Sequence, residues 1–503
     1  MSSKYCSFKE DDLTGGNNVK LYEILKGIDH EILVGDLNLE VCSITWDSRN
    51  IDRNSLFIAV KNKNIDRHDF VLDAISNGSI ALVVEYEIPN IPEDITVIKV
   101  KDARKSMAII AKNYYENPTE KLKIIGVTGT NGKTSVSYFI SEILQALQVK
   151  CGIIGTIENT VAGKKMKTKK LNPTTPDSIE LQGSFAEMLC YGATHAVIEV
   201  TSSALSQDRV YGCKFDIGVF TNLTQDHLEE HGTMENYKNA KLKLFKMCKK
   251  GIINIDDAVA AYIMDNANCE IITYGIENDC DFRAINIKYT SSGVNFNLVH
   301  NNEIREVQLS IPGRFSVYNA LAAIATVYWL GLNLDDIIKA VKEIKGVPGR
   351  FQAIPNSKGI LTIVDYAHSP DGLENILTSV KEFAKGRIIL VFGCGGNRDT
   401  GKRSIMGEIA GKYSDYCIIT SDNPRKEEPK LIIDEIEVGM IKTSCSYEKI
   451  QDRRQAISKA LGMAEAFDTV IIAGKGHENY QVLKDETIHF SDEEVVREYF
   501  FSN

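Results

Sequence analysis

The chain has 503 residues, of which 43% are hydrophobic and 25% charged, with a formal net charge of −10. This is the composition of a globular protein with ample core, and the length suggests about three domains. The acidic balance argues against a nucleic-acid binder, which carries a basic face, yet a few local Arg and Lys suffice to hold a small anion.

Residues 1–12 lack the apolar core of a signal peptide, and the longest apolar run, 320–332, is too short to span a bilayer. The eleven cysteines include no Cys-x-x-Cys pair, so neither a zinc site nor a disulfide framework is expected. A cytoplasmic, monomeric enzyme with no membrane span and no nucleic-acid partner is the expectation.

Residues 1–101 read as a small α/β unit. Within it, 21–28 reads as a short helix, 41–46, 56–60 and 80–85 as strands, and 70–77 as an amphipathic helix closed by Gly78. Asp47-Ser-Arg49 follows the first strand as a polar turn, suited to a ligand or to a plain Asx turn. Residues 102–117 read as a helix stopped by Pro118 and open a second unit, 102–346.

The stretch Ile124-Ile-Gly-Val-Thr-Gly-Thr-Asn-Gly-Lys-Thr-Ser135 carries the strongest signal. Ile124 and Ile125 read as the end of a buried strand, Gly126, Gly129 and Gly132 permit a tight turn, and Lys133 opens a helix to about residue 149. Such a turn aims backbone N–H groups and a helix N-terminus at one spot, which suits a polyphosphate. Lys133 would contact the β/γ-phosphates and the Thr134 hydroxyl would reach Mg²⁺. The match to the general phosphate-loop pattern is imperfect, because Val127 stands where that pattern has its first Gly.

Residues 152–156 read as the next strand, and the prolines of Asn172-Pro-Thr-Thr-Pro176 put Thr174 and Thr175 on a loop. A helix over 178–191 leads to the buried strand 195–200, whose Glu199 is a candidate Mg²⁺ ligand beside the phosphate loop. Strand 216–221 leads into a loop crowded with Asp226, His227 and His231, and helix 235–248 carries Lys241. Residues 251–255 and 271–274 close the parallel sheet, 282–311 alternates as a small antiparallel set, and helices follow at 318–330 and 334–344.

Gly346-Val-Pro-Gly-Arg350 reads as a linker into a third unit, 347–503. Its strands, 361–365, 387–392, 416–420 and 469–473, alternate with helices, which predicts a second doubly wound sheet. Four polar loops follow those strands: Asp365-Tyr-Ala-His-Ser-Pro370, Gly393-Cys-Gly-Gly-Asn-Arg-Asp399, Ser421-Asp-Asn-Pro-Arg425 and Gly474-Lys-Gly-His-Glu478. They fall at carboxyl strand ends, the ligand-binding rim of such sheets. The fold class expected is α/β in three domains: a small α/β domain, a central P-loop parallel-sheet domain and a C-terminal Rossmann-like domain. ATP bound between domains is implied, with phosphoryl transfer and ATP-driven ligation both open.

Four motifs taken together resemble the Mur ligases of peptidoglycan synthesis. They are Gly129-Thr-Asn-Gly-Lys-Thr134, Thr221-Asn-Leu-x-x-Asp-His227, Asp365-Tyr-Ala-His-Ser-Pro-Asp371 and Gly474-Lys-Gly-His-Glu478, and their order matches over nearly the whole chain. Asp422-Asn-Pro-Arg425 and the Arg398 loop resemble the members that join meso-diaminopimelate to UDP-N-acetylmuramoyl-L-alanyl-D-glutamate. The alternatives are a paralogue adding L-lysine or lanthionine or using another acyl acceptor, and a folylpolyglutamate-synthase-like ligase.

The resemblance implies roles. Gly129, Thr130, Asn131, Gly132, Lys133, Thr134, Ser135 and Asn319 would bind ATP. Thr134, Glu199, His227 and a carbamylated Lys241 would hold Mg²⁺, with Lys133, Lys241, His227 and Glu199 catalytic. Ser48, Lys63, Asn64, Ile65, Thr174, Thr175, Thr201, Gln207 and Arg209 would bind the UDP-sugar peptide. Arg398, Asp422, Asn423, Pro424, Arg425, Gly474 and Glu478 would bind the amino acid. Departures from the family pattern stand at Asn62, Arg67, Pro173, Thr201, Ser203 and Asn397, most of them on the nucleotide-sugar side.

Overall fold

The computed structural model describes residues 18–62, 65–168, 172–226, 228–290 and 292–501, and most of their strands gather into three large sheets. The first runs His30–Val34, Thr96–Val100, Ser79–Val84, Ser55–Ile58, Ser43–Thr45, parallel throughout except for its first pair. The expected strand 41–46 is broken at Cys42, whose N–H donates to Asn54 O. Glu40–Val41 instead pairs with Val19–Lys20 in a separate ribbon. The first helix is shorter than expected, Leu21–Ile24, and Gly27 turns at φ +79° just beyond it.

Helix Ala103–Tyr114 is capped by Asp102, whose side chain accepts from Lys105 N. It buries Met107, Ile110 and Ala111 against Leu56, Ile58 and Val83. By packing, therefore, this helix completes the first sheet's core, and a boundary at residue 102 falls on its N-cap.

The central sheet has eleven strands. Seven, from Cys151–Ile154 to Phe282–Thr290, are parallel, with Lys123–Thr128 in the interior between His195–Glu199 and Phe215–Phe220. The chain leaves Lys123–Thr128 toward one side of the sheet and later returns to the other, so the strand order reverses at its carboxyl end. That is where open α/β sheets bind ligands. Helix Lys133–Ala146 covers one face with Val136, Phe139, Ile140 and Ile143, packed with helix Arg314–Trp329. The antiparallel strands Gly293–His300 and Glu303–Leu309 extend the same sheet.

The third sheet runs Gln352–Ile354, Leu361–Asp365, Thr469–Ala473, Ile388–Phe392, Tyr416–Ile419, Ser446–Lys449, with only its first pair antiparallel. Beneath two of its rim loops lies a fully buried ion pair. Arg453 Nε and Nη2 each donate to Asp492 at 2.7 Å, while Nη2 also reaches Ala473 O at 3.0 Å and Nη1 reaches Ser421 O at 3.4 Å. Among the described residues no helix is long and apolar enough to cross a membrane.

Arg453→Met should leave Asp492 buried and unpaired, lowering stability by about 3–5 kcal/mol. A thermal melt reads this directly, and an unchanged melting temperature would show the pair to be dispensable.

Candidate active site

The turn after strand Lys123–Thr128 is held by contacts that leave no room for side chains. A Cβ on Gly129 would lie 1.8 Å from Thr221 Oγ1, and one on Gly132, at φ +84°, would lie 2.8 Å from Asn319 Oδ1. Two loop amides are committed within the protein, since Thr130 N and Asn131 N donate to Asn222 O and Oδ1, both at 2.9 Å. Those two N–H groups are therefore not among the ones that the turn aims at a ligand. Asn222 clamps the loop, and Gly132 caps helix Lys133–Ala146 without a side-chain bond. The first-turn N–H groups of that helix then face an anion with their partial positive charge.

Lys133 Nζ donates to Gly129 O at 2.9 Å and Thr130 O at 2.8 Å. Lys241, from helix Met234–Phe245, donates to the same Gly129 O at 2.8 Å and lies 4.4 Å from the Tyr237 ring centre. Burial and then the charge of Lys133 push the Lys241 pKa well below the usual lysine range, against a smaller opposing pull from Asp226. Burial lowers Lys133 too, opposed by Glu199 and Asp226.

Glu199 ends its strand fully buried. Its Oε2 accepts from Thr134 Oγ1 at 2.9 Å and Thr156 Oγ1 at 2.8 Å, and its Oε1 accepts from Thr156 N at 2.8 Å. No cluster of three His, Cys, Asp or Glu able to hold a metal occurs among the described residues. Glu199 with the Thr134 hydroxyl nevertheless fits Mg²⁺, which takes one or two carboxylates and completes its shell from phosphates and water. His227 lies outside the described residues.

Two cavities meet at this loop. One, of about 410 Å³, lies between the central and third sheets and is lined by Asn131, Gly132, Ser135, Asn319, Asp371 and others. The second, of about 330 Å³, holds the whole stretch Gly129 to Ser135 with Glu199 and Lys241. Thr174, Thr175, Thr201 and Arg209 line its far wall. There Thr175 Oγ1 donates to Glu199 O at 2.8 Å, and Arg209 Nη1 donates to Thr175 O at 2.9 Å. Gln207 is exposed and accepts from Arg209, and neither it, Ser48 nor Ile65 lines either cavity. Lys63 and Asn64 lie outside the described residues.

The third sheet's rim gathers Asp422, Asn423, Pro424, Arg425, Gly474 and Glu478. Asn423 Nδ2 donates to Glu478 Oε2 at 2.9 Å, and Arg425 Nη1 donates to Gly396 O at 3.0 Å. Gly474, at φ +118°, packs so closely that a Cβ would lie 2.7 Å from Asp422 Oδ2. Arg398 is exposed on the same rim, with its Cγ beside Gly395.

Family comparisons agree with this geometry. The Mur ligase middle domain matches residues 127–327, and the Mur ligase glutamate ligase domain matches 349–476. UDP-N-acetylmuramoyl-L-alanyl-D-glutamate--2,6-diaminopimelate ligase 2 of Clostridium acetobutylicum is 45% identical over 480 residues, 95% of this chain and 99% of that protein. The chain belongs to the Mur ligase family. The corresponding ligase of Caldanaerobacter subterraneus is 46% identical over 481 residues, 95% of this chain and 98% of its own. A solved structure of a ligase of that name superposes with a TM-score of 0.71 at 33% identity, covering 97% of this chain and 99% of the other.

The departures from the family pattern are each built into the structure. Arg67 lies 3.9 Å from the Trp46 ring centre, and Asn62 Oδ1 accepts from Arg104 Nη2 at 2.5 Å. Thr201 caps helix Ser202–Ser206 by accepting from Ala204 N, and Ser203 donates to Glu230. Pro173 lines the second cavity, and Asn397 Oδ1 accepts from Lys426 N at 3.0 Å.

Several cavity residues were missed by sequence reasoning. Arg350, read as part of a linker, lines both cavities and stacks 4.3 Å from the Tyr366 ring centre. His368, from a loop already expected on the ligand-binding rim, also lines both. Asn131 Nδ2 reaches across to Asp371 Oδ2 at 2.5 Å, joining the phosphate loop to the third unit. A cation directly after a Gly-rich turn between two ligand rims was the available signal for Arg350.

A neutral Lys241 amine can attack carbon dioxide, forming an N–C bond and releasing a proton, which would replace a crowded cation by an anion. With ¹³C-bicarbonate, a carbamate carbon resonance should appear in the native protein and be absent from Lys241→Ala. Because the amine must be deprotonated to react, uptake should persist to lower pH than for an ordinary lysine. A free amine in active protein supplied with bicarbonate would count against it.

Proposed function

We propose that the chain is an ATP-dependent ligase joining meso-diaminopimelate to UDP-N-acetylmuramoyl-L-alanyl-D-glutamate, releasing ADP and phosphate, in peptidoglycan precursor synthesis. The observation that carries it is the sharing of Asn131, Gly132 and Ser135 by the two cavities. A nucleotide seated against Asn319 and Asp371 in the first turns its terminal phosphate toward the second. Relatives at about 45% identity across the full length bear this activity as their name.

The division that goes with this function is a UDP-sugar unit (1–101, with helix Ala103–Tyr114 packed onto it), an ATP unit (to 346) and an amino-acid unit (347–503). Thr174, Thr175, Thr201 and Arg209 orient the acyl substrate's peptide end. Lys133 and the first-turn amides hold the γ-phosphate while the substrate's D-glutamyl γ-carboxylate attacks it and ADP leaves. The incoming amine then attacks the acyl phosphate, forming the amide and expelling phosphate. These residues act by positioning and by stabilising charge. Mg²⁺, held by Glu199, Thr134, His227 and carbamylated Lys241, would neutralise phosphate charge.

Incubation with ATP, Mg²⁺, the UDP-muramoyl dipeptide and a panel of amino acids, with products weighed by mass spectrometry, tests the whole proposal. A stable phosphorylated acyl product formed without any amino acid would make the protein a kinase instead. Lys133→Ala should cost about 10²–10³-fold in turnover, because it removes the loop's own cation from the transferred phosphate. Near-normal turnover in that folded variant would show that the loop is not the phosphate site.

Arg398 and Arg425 supply guanidinium forks for the distal carboxylate of diaminopimelate, which lysine lacks. Lysine would leave Arg425 without its anion at a cost of about 2–5 kcal/mol. At about 1.4 kcal/mol per factor of ten, the expected preference in kcat/KM is roughly several hundred-fold. Arg425→Ala should lose most of that preference while keeping ATP binding. Unchanged selectivity in this variant would remove Arg425 from the specificity site.

A further inference from the structure

Lys475 sits inside the Gly474-Lys-Gly-His-Glu478 loop, and nothing above gives it a task. Its side chain is fully buried, a costly place for an ammonium without partners. It has three. Nζ donates to Glu478 Oε2 at 2.9 Å, to Tyr480 O at 2.6 Å and to Asn423 Oδ1 at 3.3 Å. Asn423 closes the ring, donating through Nδ2 to the same Glu478 oxygen at 2.9 Å and accepting from Val482 N at 2.9 Å. One cation thus ties together the Asp-Asn-Pro-Arg loop, the Glu478 loop and the strand Tyr480–Val482.

The same rim holds a second carboxylate. Asp422 is buried, and its Oδ2 has no hydrogen-bond partner among the described residues. Two carboxylates on one rim repel each other, and a buried cation beside them offsets that repulsion. Besides Lys475 and Asp422, the groups acting on Glu478 are Arg453, Tyr366 and Tyr480, with Arg425 facing Tyr480.

We propose that Lys475 is a positioning residue of the amino-acid site, whose ammonium holds Glu478 fixed against Asn423 so that the rim offers carboxylates to the ammonium of the incoming diamino acid. This rests on the assignment of the rim to the amino acid. Steady-state kinetics on Lys475→Met, Lys475→Gln, Glu478→Gln and the Met/Gln double variant test it, with folding followed by thermal melts. Wild-type ligation of diaminopimelate in the same assay tests the underlying assignment separately.

Lys475→Met should raise KM for diaminopimelate by about tenfold or more, the order of coupling between contacting charges. KM for ATP and for the UDP-sugar peptide should stay within about twofold, since neither touches this ring. Saturating kcat should fall by less than about threefold, so that the loss sits in KM for the amino acid. The double variant should be no worse than Glu478→Gln alone. Lys475→Gln keeps N–H donors without the charge, so it should recover part of the loss in KM and carries that readout if the Met variant folds poorly. A uniform rise in all three KM values, additive losses in the double variant or a loss confined to kcat would overturn the proposal.

Discussion

Two lysine ammonium groups that bond one carbonyl oxygen set the terms for the whole active site. Lys133 and Lys241 both donate to Gly129 O, and both are enclosed. At a separation of about 5 Å and an effective dielectric near 20, two unit charges repel by roughly 3 kcal/mol. The structure answers with Glu199 and Asp226 near Lys133, while burial and the Lys133 charge push the Lys241 pKa well below the usual lysine range. The Lys133 ammonium and the helix N-terminus are then the positive groups that an incoming polyphosphate meets.

The rest of the central unit keeps this arrangement rigid. Thr221 Oγ1 donates to Asn131 O at 2.6 Å, Asn222 takes two loop amides, and Asn254 Nδ2 donates to Thr221 O at 2.8 Å. The loop is thus braced from the neighbouring parallel strand, and the glycines at 129 and 132 are what allow the braces to approach so closely.

Much of this was legible in the sequence where local physics dominates. Strands buried on both faces read as continuous apolar runs, so His195–Glu199, Ile388–Phe392 and Thr469–Ala473 were found within a residue or two, whereas Ile124 and Ile125, read as a strand's end, stand near the start of Lys123–Thr128, with Gly126 inside the strand rather than in the turn. The edge strand Ser446–Lys449 was not found, because a half-exposed polar sequence carries no such run, and His30–Val34 was not, its three apolar residues Ile32, Leu33 and Val34 being too short a run. Thr96–Val100 is apolar enough to read, but the prolines at 89 and 92 obscured its approach. Lys133 and Asp422 stood out as candidates from their loops and Glu199 from its strand end, whereas Arg350 and Lys475 acquire meaning only from residues far away in the chain. For Lys475 those are Asn423 and the carbonyl of Tyr480.

The linker shows why the two halves of the site are not independent. Gly349, at φ +67°, packs so tightly on the Glu478 loop that a Cβ would lie 2.0 Å from His477 N. Arg350, its neighbour, lines both cavities at the phosphate loop. The amino-acid rim thus bears on the Gly349 backbone, next to the guanidinium that lines both cavities. The Asn131–Asp371 hydrogen bond couples the same two bodies from the other side of the loop. A ligation needs its acyl phosphate formed beside an amine already in place, since water would otherwise consume it. A backbone contact at one end of the cleft and a hydrogen bond at the other give the fold a physical means of keeping those two events in register.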